Sequence, residues 1–172
     1  MKGFGSGMAA VTEIRKEDFN ISSDRDEIRV DGLCRELLRG FHRYLLEKGT
    51  DPLEAGTLAH GADYYLRDFI VSSRRRNLFE EAPGLVRRFA ATWYIISNLE
   101  PSAGELGAML RGIMEFYRFL HEHELLSDDF MGIVEQECSD SPFYEERIRS
   151  FLEIRGDGYL AWERMCGLKD DI

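Results

Sequence analysis

Residues 102–122, SAGELGAMLRGIMEFYRFLHE, decide how the rest of the chain is read. Ser102 and Glu105 stand at capping-box spacing, where the serine hydroxyl takes a backbone N–H three residues on and the glutamate reaches back. Behind the box, Leu106, Met109, Leu110, Ile113, Phe116, Tyr117 and Leu120 recur in steps of three and four, the period of one helix face. Arg111, Glu115, Arg118 and Glu122 take the other side and alternate in sign, as a solvated face does. The stretch predicts one long amphipathic helix.

The same period runs outward in both directions. Upstream, Leu33, Cys34, Leu37, Leu38, Phe41, Tyr44 and Leu45 form a stripe that Gly49 ends in the left-handed conformation. Asp51-Pro52-Leu53-Glu54 opens a second helix, with a capping aspartate and a proline whose missing N–H costs nothing there. Its stripe is Leu58, Ala62, Tyr65, Leu66, Phe69 and Ile70, and it runs out near Ser72-Ser73. A third helix starts at Pro83 and holds Leu85, Val86, Phe89, Ala90, Trp93 and Ile96. Four consecutive apolar residues, Trp93 to Ile96, cover every side of it, so Phe89 to Ile96 is expected to be buried all round. Downstream, Ser127 caps a short helix and Ser141-Pro142 starts another. Gly156-Asp157-Gly158 precedes a last one around Tyr159, Trp162 and Met165. No stretch keeps a two-residue alternation for long. The expected fold is all-α, a compact bundle of about six or seven helices from Asp31 to Met165.

Residues 27–172 read as a single helical domain. Residues 1–26 read as a flexible or partly ordered N-terminal segment, glycine-rich over Met1 to Ala10 and turning at Ser22-Ser23-Asp24. Met1 to Ala10 lacks the apolar core of a signal peptide. Two helix ends look alike, Phe41-His-Arg-Tyr-Leu-x-Glu47 and Phe116-Tyr-Arg-Phe-Leu-x-Glu122, as two solutions of one packing problem.

At 172 residues, with 44 % hydrophobic and 31 % charged, the chain can bury a core without a disulfide or metal staple. Its 22 basic and 32 acidic side chains leave a net charge of −10, which opposes the basic footprint of a dedicated nucleic-acid binder. The surplus is local: residues 1–104 hold 15 basic and 16 acidic side chains, residues 105–172 hold 7 and 16. Cys34, Cys138 and Cys166 are far apart and odd in number, so neither a disulfide framework nor a zinc ribbon is expected, and a cytoplasmic compartment is. No apolar run approaches the length of about 18 residues that a membrane span needs, so no membrane partner is expected.

Most local motifs fail on spacing. His121-Glu-His123 sets two histidines about 200° apart on a helix, so they cannot share an ion, and no metal or cofactor is expected. Gly107 to Gly112 has phosphate-loop spacing but is followed by Ile113-Met114 where Lys-Ser/Thr is required. Gly56, Gly61, Gly107 and Gly112 read instead as close helix crossings. Asp24-x-Asp26 lacks the later ligands of a calcium loop, and Arg155-Gly-Asp157 reads as a turn. Asp63 and Asp68 lie five residues apart and form no carboxylate pair. Cys34, in an apolar stripe, reads as a core thiol. Arg74, Arg75, Arg76, Arg87 and Arg88 are the exception, five guanidinium groups within fifteen residues and the candidate phosphate or nucleic-acid contact.

In order along the chain stand Asp63-Tyr-Tyr-Leu-Arg-Asp-Phe-Ile70, Leu85-Val-x-x-Phe89, Pro101-Ser-Ala-x-Glu-Leu106, Phe116-Tyr-Arg-Phe-Leu120 and Leu125-Leu126. This succession resembles the helical core-binding domain of tyrosine recombinases, the phage integrases. The resemblance implies a helix bundle that clamps one side of a DNA site. It transfers no catalytic residue, because that family's catalytic His-x-x-Arg has no match: His42, His60, His121 and His123 are followed three residues on by Leu45, Asp63, Glu124 and Leu126. The expected function is therefore a non-enzymatic one, through contact with a protein partner or a second copy. The alternative is a DNA-binding or DNA-associated module using the arginine cluster, and an enzyme with a site assembled from distant residues stands third.

Overall fold

The computed structural model describes residues 13–166. The tail expected over residues 1–10 lies outside them. Among the described residues there is no strand, and the helices assemble into seven rods, an all-α bundle as the periodicity predicts. A 3₁₀ turn at Lys16–Phe19 precedes α1 (Asp24–Glu47). The second rod is α2 (Pro52–Asp63), continued without a break by a π-helical segment, π1 (Tyr64–Ser73). The third is α3 (Leu85–Arg88), π2 (Phe89–Trp93) and α4 (Tyr94–Ser97) in one run. Then follow α5 (Ala103–Glu122), α6 (Asp128–Cys138), α7 (Ser141–Leu152) and α8 (Tyr159–Arg164). Among the described residues no helix is long and apolar enough to cross a membrane.

Local chemistry starts these helices where the sequence indicates. Ser102 Oγ accepts from Glu105 N at 3.3 Å and Asp51 accepts from Leu53 N at 3.1 Å and Glu54 N at 3.3 Å. Ser127 Oγ accepts from Phe130 N at 3.2 Å. Gly49 ends α1 at φ 88°. The expected boundary at residue 26 falls inside α1, because Ser22-Ser23-Asp24 is a cap rather than a free turn. Ser23 Oγ accepts from Asp26 N at 3.1 Å, while the Asp26 carboxylate accepts from Ser22 N at 3.0 Å and Ser22 Oγ at 2.7 Å. Those Ser22 bonds hold the Asp26 carboxyl far below the usual carboxylate range. Phe19 is buried edge-on against Phe79 at 4.9 Å, and Ile14 and Ile21 pack half-buried against the core beside it.

Long helix α5 is the spine. It crosses α2 so closely that the backbones touch: a Cβ on Gly61 would stand 2.7 Å from Met109 Cα, and one on Gly112 2.3 Å from Leu58 O. Gly56 and Gly107 serve no crossing, since a Cβ at either meets nothing within 4 Å. The two look-alike helix ends pack on each other in parallel. Phe41 meets Phe116 edge-on at 5.4 Å, Tyr44 meets Phe119 at 5.0 Å, and Lys48 reaches Glu122 at 3.0 Å.

The third rod departs from the expected complete burial. Phe89, Ala90, Ala91, Thr92, Tyr94 and Ile95 are buried, but Trp93 is half-buried and Ile96 is 43 % exposed. The cause is the π turn. Its i→i+5 bonding widens the helix and turns later positions away from where an α-helical count puts them. Trp93 still packs on Phe69 at 5.3 Å, Tyr64 at 5.4 Å and Phe89 at 5.8 Å, so the aromatic contact between π1 and π2 is kept.

Candidate functional site

Helix α1 presents Arg35, Arg39 and Arg43 at four-residue steps, each rotated about 40° from the last, so the three guanidinium groups line one edge. They border an open groove of about 630 Å³ between α1 and the second rod. Leu38 and Leu46 from α1 and Gly56 and Ala59 from α2 supply its apolar lining, and His42, His60, Asp63 and Arg67 complete it. With no side chain, Gly56 leaves the α2 wall low.

Charge in the groove is graded along its length. At one end Arg67 Nε donates to Asp31 at 2.8 Å and Arg67 Nη1 to Asp63 at 3.0 Å, while Arg35 pairs with the other Asp31 oxygen at 3.1 Å. The Asp31 bond, ahead of Asp63, raises the pKa of the Arg67 guanidinium. This end is neutralised. Further along, Arg39 pairs with Glu36 on the outer face of α1. The side chains of Arg43, His42 and His60 make no hydrogen bond or ion pair among the described residues, so the far end offers donors and positive charge. Cys34 of α1 is fully buried, and burial pushes its thiol up to about 12, out of reach of nucleophilic chemistry at neutral pH.

The arginine cluster singled out in the sequence does not converge as one patch. Arg75 turns to α1 and pairs with Asp24 at 3.0 Å and Glu27 at 3.8 Å. Arg76 pairs with Glu80 at 3.0 Å. Arg87 donates to Cys166 O at 3.2 Å, reaches Asp140 at 3.6 Å and lies 4.0 Å over the Phe143 ring. Arg88 is also engaged. Arg74 has no acidic partner among the described residues, and its Nε is sealed from solvent without an acceptor. The loop after the cluster is pinned rather than open. Glu81 accepts from Ser127 N and Oγ, both at 2.7 Å, and Glu137 accepts from Gly84 N at 2.6 Å.

His121 and His123 diverge as their spacing requires: His121 Nε2 lies 2.7 Å from Asp128 and His123 Nδ1 donates to Phe119 O at 2.7 Å. Among the described residues, no three of His, Cys, Asp and Glu gather as metal ligands. The groove arginines carry a signal visible in the sequence, the four-residue repeat Arg35, Arg39, Arg43 with His42 inside it. It lies on the polar side of α1, where charges at helical spacing read as a solvated face. No family model matches this chain, and no curated protein or solved structure matches it.

Proposed function

We propose that the chain is a non-enzymatic helical protein acting through protein–protein contact, and that its α1–second-rod groove seats an acidic, amphipathic segment of the partner. The groove's pairing of an apolar lining with an arginine edge carries this reading. An occupant must bring both apolar side chains for Leu38, Leu46 and Ala59 and carboxylates for Arg39 and Arg43, which one face of an amphipathic helix does. A bare phosphodiester backbone would leave the apolar lining wet. A cytoplasmic location fits three buried free thiols among the described residues.

Selection from a displayed random-peptide library is expected to enrich segments with Leu or Phe at three- and four-residue spacing and Asp or Glu between them. Reversing charge in R39E/R43E should weaken the selected peptides about tenfold or more while circular dichroism stays helical. Enrichment of basic peptides, or affinity indifferent to that reversal, would replace the reading. Self-association that rises with concentration and disappears in R39E/R43E identifies the occupant as a second copy, whose residues 105–172 hold 16 acidic against 7 basic side chains.

A DNA-associated module resembling the recombinase clamp is the second reading, favoured by Arg74 standing without an acid beside its arginine neighbours. Against it, carboxylates already engage Arg75, Arg76 and Arg87. Fluorescence anisotropy is expected to show no duplex binding near physiological salt. A micromolar complex whose affinity falls with a log–log salt slope near about −3.6, as four phosphate contacts give, and which is lost in R74E/R88E would promote the DNA reading.

A further inference from the structure

His42 and His60 line the one groove from different walls, His42 from α1 and His60 from α2. His42 is half-buried and His60 exposed, and neither side chain makes a hydrogen bond or ion pair among the described residues. The other two histidines are engaged, His121 by Asp128 and His123 by Phe119 O. A neutral imidazole offers one donor and one acceptor, and a protonated one offers two donors and a charge.

That charge is large against what the groove carries at neutral pH. Arg35, Arg39, Arg43 and Arg67 line it. Asp31 and Asp63 offset Arg35 and Arg67, and Glu36 offsets Arg39, which leaves one positive charge, that of Arg43. Protonating both histidines raises it to three. Asp63 is the one carboxylate in the lining among the described residues. Asp68, further along the same rod, also lies within reach of the His60 charge: burial and then Asp63 raise its carboxyl, while Arg67 and His60 oppose the rise. His60 thus has acids on its own rod. The charged neighbours of His42 on the α1 wall are Arg39 and Arg43, so a counter-charge for protonated His42 has to arrive with the occupant.

We infer that His42 and His60 make the groove a proton-responsive site, which holds an acidic segment loosely at mildly alkaline pH and tightly at mildly acidic pH. The inference rests on the acidic-segment reading of the groove. Histidine changes charge between about pH 5 and 8, whereas the Asp and Glu of the segment stay ionised above about pH 5. A carboxylate laid beside an imidazole favours its charged form. The complex therefore takes up protons that the free protein does not hold, and affinity rises as pH falls through this window.

The probe is an end-capped synthetic peptide with Leu at three- and four-residue spacing and Asp or Glu between, its affinity read by fluorescence anisotropy at constant ionic strength. Between about pH 8 and about pH 5.5 the dissociation constant for wild type should fall about tenfold or more, since each unit of upward shift on binding is worth tenfold. H42Q should remove the larger share of that response, and H42Q/H60Q should leave less than about twofold. H42R/H60R, charged throughout, should bind at about pH 8 nearly as tightly as wild type does at about pH 5.5. Proton resonances of the imidazoles test wild type directly: peptide should move the titration midpoints of His42 and His60 to higher pH and leave that of His123 in place. Binding that is lost in R39E/R43E but flat with pH, a pH response equal in wild type and H42Q/H60Q, or unmoved midpoints would overturn the proton response and leave the groove reading standing. No binding by wild type at either pH would overturn both.

Discussion

Gly112→Ala is expected to destabilise the protein by about 3 kcal/mol, while Gly107→Ala, five residues away on the same helix, is expected to stabilise it by about 0.5–1 kcal/mol. In an α-helix with only local contacts both changes gain the same small amount, because alanine loses less backbone freedom on folding than glycine. At Gly107 nothing opposes that gain: a Cβ there meets no atom within 4 Å. At Gly112 the new Cβ stands 2.3 Å from Leu58 O, 3.1 Å from Leu58 C and 3.2 Å from Leu58 Cα. These are backbone atoms, and no rotamer change moves them aside. Relief requires α5 to lift from α2, which loosens Ala55, Leu58 and Ala62 against Met109 and Ile113 across the whole crossing. Overpacking typically costs about 1–3 kcal/mol, and a clash with backbone belongs at or above the top of that range. Urea denaturation with an unchanged m-value reads the difference. Two variants of equal stability would mean that the crossing yields without loss, and the rigid α2–α5 spine would be wrong.

This pair also marks how far the sequence could be read. Glycines 56 and 61, and 107 and 112, each lie five residues apart, a rotation of about 140° on an α-helix. At most one of each pair can face a given neighbour, and spacing alone does not say which. The starts at Asp51, Ser102 and Ser127 were legible because these residues cap through short side chains acting on their own backbone, whereas Ser23 caps α1 in the same way from a stretch that reads as a turn. The π turns were not legible, since an extra residue in a turn leaves no mark in an apolar stripe as dense as Tyr64 to Val71. The arginine cluster misled for a related reason: nearness in sequence became divergence in space once Arg75 took a left-handed turn and Asp24, Glu80 and Asp140 each claimed a guanidinium. The groove needed two helices to exist, so only its Arg35-Arg39-Arg43 edge was written in one place.

Arg147→Ala is expected to cost about 3–4 kcal/mol, an effect no motif foretells, because Arg147 sits mid-helix among charged neighbours and reads as surface. It is 3 % exposed. Among the described residues no carboxylate hydrogen-bonds it. Instead Nε donates to Ala91 O at 2.9 Å, Nη1 to Trp162 O, and Nη2 to Thr92 Oγ1 at 3.3 Å, with the guanidinium 3.8 Å over the Trp162 ring. Trp162 Nε1 returns a bond to Arg147 O at 3.1 Å. One side chain thus ties α7 to a carbonyl inside π2 and to the last turn of α8. Burial lowers its pKa, and the acceptors it reaches are neutral, so its worth lies in the acceptors it satisfies and the ring it covers. Removing it leaves two buried carbonyls without that donor, at about 1–3 kcal/mol each when nothing replaces it, and strips one face of Trp162. Arg147→Met separates the contributions, since it keeps the stem over the indole, removes the buried charge and still leaves Ala91 O without its donor. It should fall between wild type and the alanine variant, and hydrogen exchange should show α8 and residues 89–97 losing protection before α2 and α5 do. If Arg147→Met equals wild type in stability and protection, the hydrogen bonds into π2 contribute nothing and apolar packing alone holds the third rod.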